Sequence, residues 1–236
     1  EWYQHMLNYK HRHGTPIIQR VGDCGTHGKP DLTRLVKETV LHSDFVIFPS
    51  EWARQIIGYN GQNYKVIPNA PLPIFHEFKR SINNNEKIKV VTHHWSTNPK
   101  KGHKLYKQLD NYSRENDWVS FTYIGRWPEN EAPLINSKYY EPTGDNSMIS
   151  KIISECDIYL TASEEEAGAN HVLEAMACGL PVVYHNNGGS IPEYCKPCGI
   201  GFDNFDQMIK AVQDMNEDYA KYKESALEYK TQIPKT

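Results

Sequence analysis

The chain has 236 residues, 39% of them hydrophobic and 23% charged, with a formal net charge of −3. This charge argues against a surface that follows nucleic-acid phosphates, so we expect no nucleic-acid partner. No apolar stretch approaches the roughly 20 residues of a membrane span, and the start lacks the basic-then-apolar run of a signal peptide. We therefore expect a soluble cytoplasmic protein without a transmembrane segment, larger than one average domain.

Residues 1–73 predict part of a Rossmann-like lobe. After a polar, His-rich start, the predicted elements are a strand over 16–21, a helix over 31–42, a strand over 45–49, a helix over 51–58 and a strand over 65–68. Ser50 stands where a helix N-cap belongs. Strands that alternate with helices indicate a parallel sheet. Arg20 and Asp23 lie in the segment over 19–23 that ends the first strand, where they either contact a ligand or serve the structure.

A second lobe is predicted over residues 87–215, after a linker over 74–86 that is rich in polar residues and has no sustained periodicity. Its predicted strands are 88–93, 119–125, 158–162 and 182–185, each apolar enough to be buried on both faces. Residues 216–236 predict a helical tail. The two lobes together predict an α/β protein, in which ligands bind beyond the carboxyl ends of the strands.

The clearest helical pattern lies over residues 146–156. Its apolar positions at helical spacing are Met148, Ile149, Ile152, Ile153 and Cys156. The same periodicity places Ser150, Lys151 and Glu155 on the outward face.

The richest segment runs from Thr161 to Val183. A buried strand ends at Ala162, a turn with three carboxylates follows, and the small residues 167–169 allow a ligand to approach the backbone. A helix then begins near Asn170 and stops at Gly179. Its free N–H groups and the positive end of its dipole would form an anion site suited to a diphosphate.

Glu166 and Glu174 are separated by seven residues, which places the first on the loop and the second about one turn into the helix. We expect both to converge on one ligand. A carboxylate that accepts from two neighbouring hydroxyls is a common way to hold a ribose, and this task suits Glu174. The alternative is that the acidic residues merely favour the helix N-terminus, which is our interpretation of Glu164 and Glu165.

This segment resembles the retaining glycosyltransferases of family 4, which have the two-lobed GT-B fold. The likeness rests on Ser163, on the pair Glu166 and Glu174, and on the run EAMACGLPVV over 174–183. Further matching segments, in the family's order, are Ser50-Glu51-Trp52, Val66-Ile67-Pro68-Asn69 and Gly188-Gly189-Ser190-Ile191-Pro192-Glu193. The resemblance implies two Rossmann-like lobes, of which the amino-terminal one is incomplete because the first part of that lobe precedes Glu1.

The resemblance also implies roles for these residues. Glu174 would bind the ribose of the nucleotide, and Glu166 would act as a catalytic residue facing the transferred sugar. The backbone amides around Gly168, Ala169, Asn170 and His171 would hold the sugar and the diphosphate.

Family members usually carry an Arg and a Lys after the first strand of the donor lobe, the Lys just before a Gly. Lys101-Gly102 matches the second element, so Lys101 would neutralise the diphosphate as it leaves. The Arg is missing, and the segment Thr92-His93-His94-Trp95-Ser96 stands there instead. We expect His94, neutral or protonated, or Ser96 to take over part of the phosphate contact.

Arg126 follows the second strand of the donor lobe, where it either replaces the missing Arg in part or is a solvated loop residue with Trp127 packed beneath it. The resemblance places Tyr140 and Pro142 beside the nucleobase, which they would read through main-chain groups.

A metal site at His93 and His94 is the competing interpretation. Adjacent residues on a strand point to opposite faces, and no Asp-x-Asp motif accompanies them, so we favour polar contacts. The five cysteines suit reduced thiols. Cys195 and Cys198 form a single pair without partners at zinc-site spacing, which is typical of an ordinary loop.

We therefore expect a retaining glycosyltransferase of hexosyltransferase type, with a nucleoside diphosphate sugar as donor and a glycan, lipid or small molecule as acceptor. No cofactor and no metal are expected. The alternatives are a sugar-nucleotide epimerase on the same fold and a non-catalytic module that binds a nucleotide sugar. Analysis of the products would distinguish an epimerase from a transferase. Measurement of donor consumption would distinguish a binding module from an enzyme.

Overall fold

The computed structural model describes residues 2–77 and 87–233. The chain divides into two compact units. The first unit comprises Glu1–Asn69 and Glu166–Gly168, and the second comprises Ala70–Glu165 and Ala169–Thr236.

The first unit contains a three-stranded parallel sheet in the order β1-β2-β3. Its elements are α1 (Trp2–His13), β1 (Ile18–Arg20), α2 (Pro30–Thr39), a 3-10 turn (Val40–His42), β2 (Phe45–Phe48), α3 (Glu51–Ile57) and β3 (Tyr64–Val66). The predicted strands and helices are confirmed, with ends displaced by a few residues. Helix α1 was not predicted, because the segment was interpreted only as a polar, His-rich start, and none of the helix residues is fully buried.

Ser50 confirms the predicted helix cap. Its backbone is extended, and its Oγ accepts a hydrogen bond from the Ala53 N–H at 3.0 Å. Such a cap satisfies one of the N–H groups that a helix leaves unpaired in its first turn. The core of this unit packs between the helices and the sheet, with Val46 and Phe48 of β2 fully buried at its centre.

The second unit contains a six-stranded parallel sheet in the order β6-β5-β4-β7-β8-β9. Its strands are β4 (Ile88–His94), β5 (Val119–Gly125), β6 (Lys138–Tyr140), β7 (Ile158–Thr161), β8 (Val182–His185) and β9 (Gly199–Phe202). Its helices are α4 (Ile74–Glu77), α5 (His103–Glu115), α6 (Asn146–Ser154), α7 (Asn170–Ala177), α8 (Ile191–Cys195), α9 (Phe205–Glu217) and α10 (Tyr219–Lys230), with a 3-10 turn at Pro99–Lys101.

Two apolar clusters cover the two faces of this sheet. Helices α6, α7 and α8 contribute to one cluster, and α5 and α9 contribute to the other. All four strands predicted for this unit are confirmed to within one residue. The edge strands β6 and β9 were missed, since each is short and only partly buried.

The strand order reverses between β4 and β7. From β4 the chain proceeds outward to β5 and β6, then returns to β7 on the other side of β4 and continues to β8 and β9. Such a reversal leaves a crevice at the carboxyl ends of the two central strands, where ligands of open α/β sheets bind.

The prediction for α6 was wrong at Ser150. Ser150 is fully buried, and its Oγ donates a hydrogen bond to the carbonyl oxygen of Ile74 in α4 at 3.1 Å. Met148, predicted to face inward, is 40% exposed. The helix periodicity alone could not show that α4 packs on this face and offers an acceptor to the serine.

Of the residues predicted as a linker, Ile74–Glu77 form α4, and residues 78–86 lie outside the described residues. The predicted tail contains the end of α9 and then α10, while residues 234–236 again lie outside the described part. Within the described ranges no helix is both long and apolar enough to cross a membrane. The expected cytoplasmic location stays a prediction.

Candidate donor-binding site

The loop after β7 is held from both sides within the second unit. The N–H of Glu164 donates to the carbonyl of Lys100 at 2.8 Å, and the N–H of Glu165 donates to the carbonyl of Asn187 at 2.9 Å. Glu165 forms an ion pair with Lys100 and has a left-handed φ of 53°. Glu164 and Glu165 therefore shape the loop through specific partners, beyond the general charge effect expected from the sequence.

Helix α7 begins at Asn170, as predicted. Just before it, the N–H of Ala169 donates to Ser190 Oγ at 3.3 Å, and no side chain caps the helix start. Gly179, with a φ of +82°, follows the helix and ends it as the sequence indicated. The positive end of the α7 dipole lies at this start and favours an anion there.

Residues 166–168 belong to the first unit. The carbonyl of Ala167 accepts from Ser50 Oγ at 2.8 Å, and the carbonyl of Gly168 accepts from Asn69 Nδ2 at 3.3 Å. A Cβ at Gly168 would lie 2.9 Å from the Pro49 side chain, so the position requires glycine. The convergence of Glu166 with Glu174 on one ligand stays a prediction.

Glu174 lies in α7 with its side chain 23% exposed. His93, at the end of β4, places its Nε2 2.7 Å from Glu174 Oε2. On its other side, His93 Nδ1 lies 3.0 Å from the hydroxyl of Tyr159 in β7. This contact was missed in the sequence, where His93 appeared only as a metal-site alternative, because the two residues are 81 positions apart.

His94 points to the opposite side of β4, as the strand alternation predicts. Its Nε2 lies 2.7 Å from the Tyr106 hydroxyl, and its ring is 5.0 Å from that of His171. Burial, followed by the positive charge at His171 and Lys101, holds the pKa of His94 well below its ordinary value. His94 is therefore neutral near pH 7, so it offers polar contacts and no full positive charge.

His171 lies in the first turn of α7, where its Nε2 is 3.1 Å from Thr161 Oγ1 at the end of β7. The centre of the His171 ring lies 6.2 Å from that of His93 and 5.0 Å from that of His94. The start of α7 is thus joined to the ends of both central strands.

Lys101 ends a 3-10 turn that Asn98 caps by accepting from the Lys100 N–H at 3.0 Å. Gly102 follows with a φ of +82°, and a Cβ there would lie 2.4 Å from Ala162 Cβ. This close approach fixes the turn against the end of β7. The hydroxyl of Ser96 accepts from the Asn98 N–H at 3.1 Å, so Ser96 supports the same turn.

Arg126 comes directly after β5, the strand that lies beside β4 in the sheet. Its N–H donates to the His94 carbonyl at 3.1 Å, and its guanidinium lies 4.5 Å from the centre of the Trp95 ring. The alternative interpretation therefore named the wrong aromatic residue, because Trp95 lies against Arg126 while Trp127 packs on Tyr123 and His103. Arg126 is exposed, and its role in phosphate binding stays a prediction.

Tyr140 ends β6, where it pairs with Ile124 in β5 and packs partly against one apolar cluster. Pro142 follows it and is partly exposed. Their predicted position beside a nucleobase stays a prediction.

Within the described residues, no group of three or more His, Cys, Asp or Glu side chains could hold a metal. Cys195 and Cys198 are both free and buried. Burial raises the pKa of Cys198 to about 12 and the pKa of Cys195 well above its ordinary value. Neither thiol is a reactive thiolate at neutral pH, because only the deprotonated form is nucleophilic.

His103 was not singled out in the sequence. It begins α5 and is 2% exposed, and in the described part of the chain neither ring nitrogen has a hydrogen-bond partner. The ring is surrounded by aromatic side chains, with Trp127 5.4 Å and Tyr123 6.3 Å away. Burial, followed by the charge of Lys101, lowers its pKa from 6.5 to about 4.

The substitution His103→Phe should stabilise the protein and flatten its pH dependence. Because the folded-state pKa lies below the unfolded-state value, the unfolding free energy is highest above pH 6.5 and falls as the pH drops from 6.5 to 4. A phenylalanine has no ring nitrogen to desolvate, so we expect a gain of about 1 kcal/mol at pH 7 and about 2 kcal/mol at pH 5. Urea unfolding at both pH values measures the difference. The exposed His11→Gln variant should match the wild type, and an equal gain at both pH values would contradict the assignment.

Two parallel sheets covered by helices match the GT-B fold of solved glycosyltransferase structures. The chain is similar to Anabaena HepE, solved in complex with UDP-glucose, with a TM-score of 0.73 and 17% identity over 99% of this chain and 72% of that chain. It is also similar to sucrose-phosphate synthase from Thermosynechococcus elongatus, with a TM-score of 0.72 and 14% identity over 99% of this chain and 73% of that one. A third similar structure is WaaG, a glycosyltransferase involved in lipopolysaccharide biosynthesis (TM-score 0.62, 14% identity, 98% and 77% coverage). These low identities support the fold alone.

The family follows from the sequence match. Residues 88–218, more than half of the chain, match the family model of the Glycosyl transferases group 1. The chain therefore belongs to that family. A search among curated proteins found no significant match.

Proposed function

We propose that this protein transfers a sugar from a uridine diphosphate sugar to an acceptor hydroxyl, with retention of the anomeric configuration. The observation that carries the proposal is the position of Glu174. This residue lies in α7 and contacts His93 at the end of β4, one of the two strands between which the strand order reverses. Uridine is favoured because the structure of HepE similar to this chain was solved with UDP-glucose. Retention and the hexosyl type of the transferred sugar follow from the resemblance of the motifs.

In this proposal Glu174 accepts hydrogen bonds from the ribose hydroxyls. The N–H groups at the start of α7 bind the diphosphate, as the uncapped helix end favours. Glu166 faces the transferred sugar and stabilises its positive charge in the transition state. The acceptor hydroxyl attacks from the face of the leaving group, which keeps the configuration.

Charge on the leaving group is the central chemical problem. As the bond between the sugar and the phosphate breaks, negative charge grows on the diphosphate. Lys101 supplies the positive charge, and the helix amides supply partial charges. The proposal includes no resident cofactor, because these groups perform the neutralisation. His94 and Ser96 contribute polar contacts, and Arg126 adds charge at the edge.

Thermal shift assays with UDP, GDP and ADP and their sugar conjugates test the proposal. We expect UDP and a UDP-sugar to raise the melting temperature and the other nucleotides to have little effect. In calorimetry the Glu174→Ala variant should bind UDP about 30-fold more weakly, since a hydrogen bond to a charged group contributes about 2 kcal/mol. Glu224→Ala on α10 is the control for a glutamate outside the site. Unchanged UDP affinity in Glu174→Ala would contradict the role of Glu174.

Product analysis tests the reaction itself. A transferase forms a glycoside of the acceptor and releases UDP in equal amounts. Release of UDP with an epimerised free sugar would instead indicate an epimerase, and binding without turnover would indicate a binding module.

A further inference from the structure

We propose that His93 is a positioning residue for Glu174, and that Tyr159 fixes His93 so that the carboxylate is held ready for the ribose hydroxyls. This inference rests on the ribose-binding role proposed for Glu174. We call the three residues the Tyr159–His93–Glu174 chain. It joins β7, the end of β4 and α7 within the second unit.

The hydrogen-bond directions in this chain follow from the chemistry of its members. A carboxylate only accepts, so His93 Nε2–H donates to Glu174 Oε2 at 2.7 Å. In the tautomer that carries its proton on Nε2, the ring accepts at Nδ1, which lies 3.0 Å from the Tyr159 hydroxyl. The backbone N–H of His93 donates to the same hydroxyl at 3.3 Å, and the carbonyl oxygen of His93 lies 3.4 Å from it. Nδ1 is the closer of the two acceptors for the hydroxyl proton, which favours donation from Tyr159 to the His93 ring.

Burial increases along the chain away from the ligand side. Tyr159 is fully buried and His93 is 8% exposed, whereas the side chain of Glu174 is 23% exposed. Burial raises the pKa of Tyr159 well above its ordinary value, so the hydroxyl keeps its proton at any physiological pH. The rigid end of the chain thus lies in the core, and the carboxylate end is open to a ligand.

Among the residues that the structure describes, only Oε2 of the Glu174 carboxylate accepts a hydrogen bond. Across residues 2–77 and 87–233, His93 is the side chain that hydrogen-bonds to Glu174, and it does so at Oε2. Oε1 stays available for a ligand hydroxyl. Fixing a flexible side chain before the ligand arrives removes an ordering cost of about 0.5–1.5 kcal/mol from binding, which corresponds to about 2- to 10-fold in affinity.

Calorimetry with UDP and 2′,3′-dideoxy-UDP tests the inference, because only UDP carries the hydroxyls that Glu174 would bind. We expect the wild type to prefer UDP by at least about 10-fold. In the His93→Phe variant the ratio of the affinity for UDP to that for dideoxy-UDP should fall about 5-fold, while the affinity for dideoxy-UDP itself changes little. His93→Gln, whose amide can still donate to the carboxylate, should recover part of the loss.

Tyr159→Phe removes a single oxygen and keeps the aromatic ring that packs in the core. It should reduce the preference for UDP by about 3-fold. Tyr184→Phe is the matched control, since Tyr184 is a buried tyrosine on the neighbouring strand β8, and it should leave the preference unchanged.

The outcomes separate this inference from the proposed function. If the His93 and Tyr159 variants keep the full preference for UDP, even with both affinities weakened by the same factor, the two residues are structural and the inference is overturned. If the wild type itself does not distinguish UDP from dideoxy-UDP, the ribose-binding role of Glu174 fails and the inference falls with it.

Discussion

Replacing Lys101 with methionine is expected to lower the turnover of a UDP-sugar about 100-fold, or about 3 kcal/mol in the activation free energy. Methionine has a similar length and volume but no charge. Because negative charge on the diphosphate grows as the sugar leaves, Lys101 should stabilise the transition state more than the bound donor. We therefore expect the affinity for the UDP-sugar to fall by less than about 10-fold.

The geometry around Lys101 explains why the expected effect is this large. The Arg that family members usually carry after the first donor-lobe strand is missing, and His94, which stands in that segment, is kept neutral by burial and by its charged neighbours. The turn that carries Lys101 is fixed by the Asn98 cap and by the contact between Gly102 and Ala162. We therefore expect Lys101 to supply most of the full positive charge that the diphosphate meets at this position.

Initial rates of UDP release, measured with the UDP-sugar that gives the largest thermal shift, check this prediction. Lys104→Met is the matched control, because Lys104 lies three positions further on in the exposed face of α5 and should keep wild-type rates. A Lys101→Met variant that loses affinity for the UDP-sugar while its turnover stays unchanged would show that Lys101 binds the donor and the transition state equally. A variant with normal turnover would remove Lys101 from the mechanism.

The parts of the structure that the sequence predicted well have strong local patterns. The central strands β4, β5, β7 and β8 are short apolar runs buried on both faces, and their ends could be placed to within one residue. Helix α7 carries its own stop signal in Gly179. Local chemistry also predicted the Ser50 cap, because the side-chain oxygen of a serine ahead of a helix can accept from an N–H of the first turn.

The parts that were missed depend on tertiary packing. Ser150 reads as an outward position by periodicity, yet α4 supplies a carbonyl acceptor that makes its burial favourable. The bond between His93 and Glu174 joins residues 81 positions apart, so no local pattern contains it. Trp95, and not Trp127, meets Arg126 because the fold of the loops after β4 and β5 decides which ring lies there.

Gly125→Ala should be the most destabilising of the substitutions considered, with a loss of about 4 kcal/mol in the unfolding free energy. Gly125 ends β5 with a φ of +124°, a conformation that L-residues rarely adopt, and it pairs with His94. An added Cβ would lie 1.9 Å from the His94 carbonyl oxygen. The clash involves backbone atoms, so no side-chain rotation can relieve it.

Relief by a backbone shift has its own cost. The His94 carbonyl accepts from the Arg126 N–H at 3.1 Å, so moving the strands apart breaks this bond and displaces the residue that follows β4. Urea unfolding followed by circular dichroism measures the loss. Gly144→Ala is the matched control in the same unit, because a Cβ there meets nothing within 4 Å, and its effect should stay within about 0.5 kcal/mol. If Gly125→Ala is as stable as Gly144→Ala, the close approach of β4 and β5 at this point does not exist in solution, and the positions of His93 and His94 at the end of β4 would have to be reconsidered.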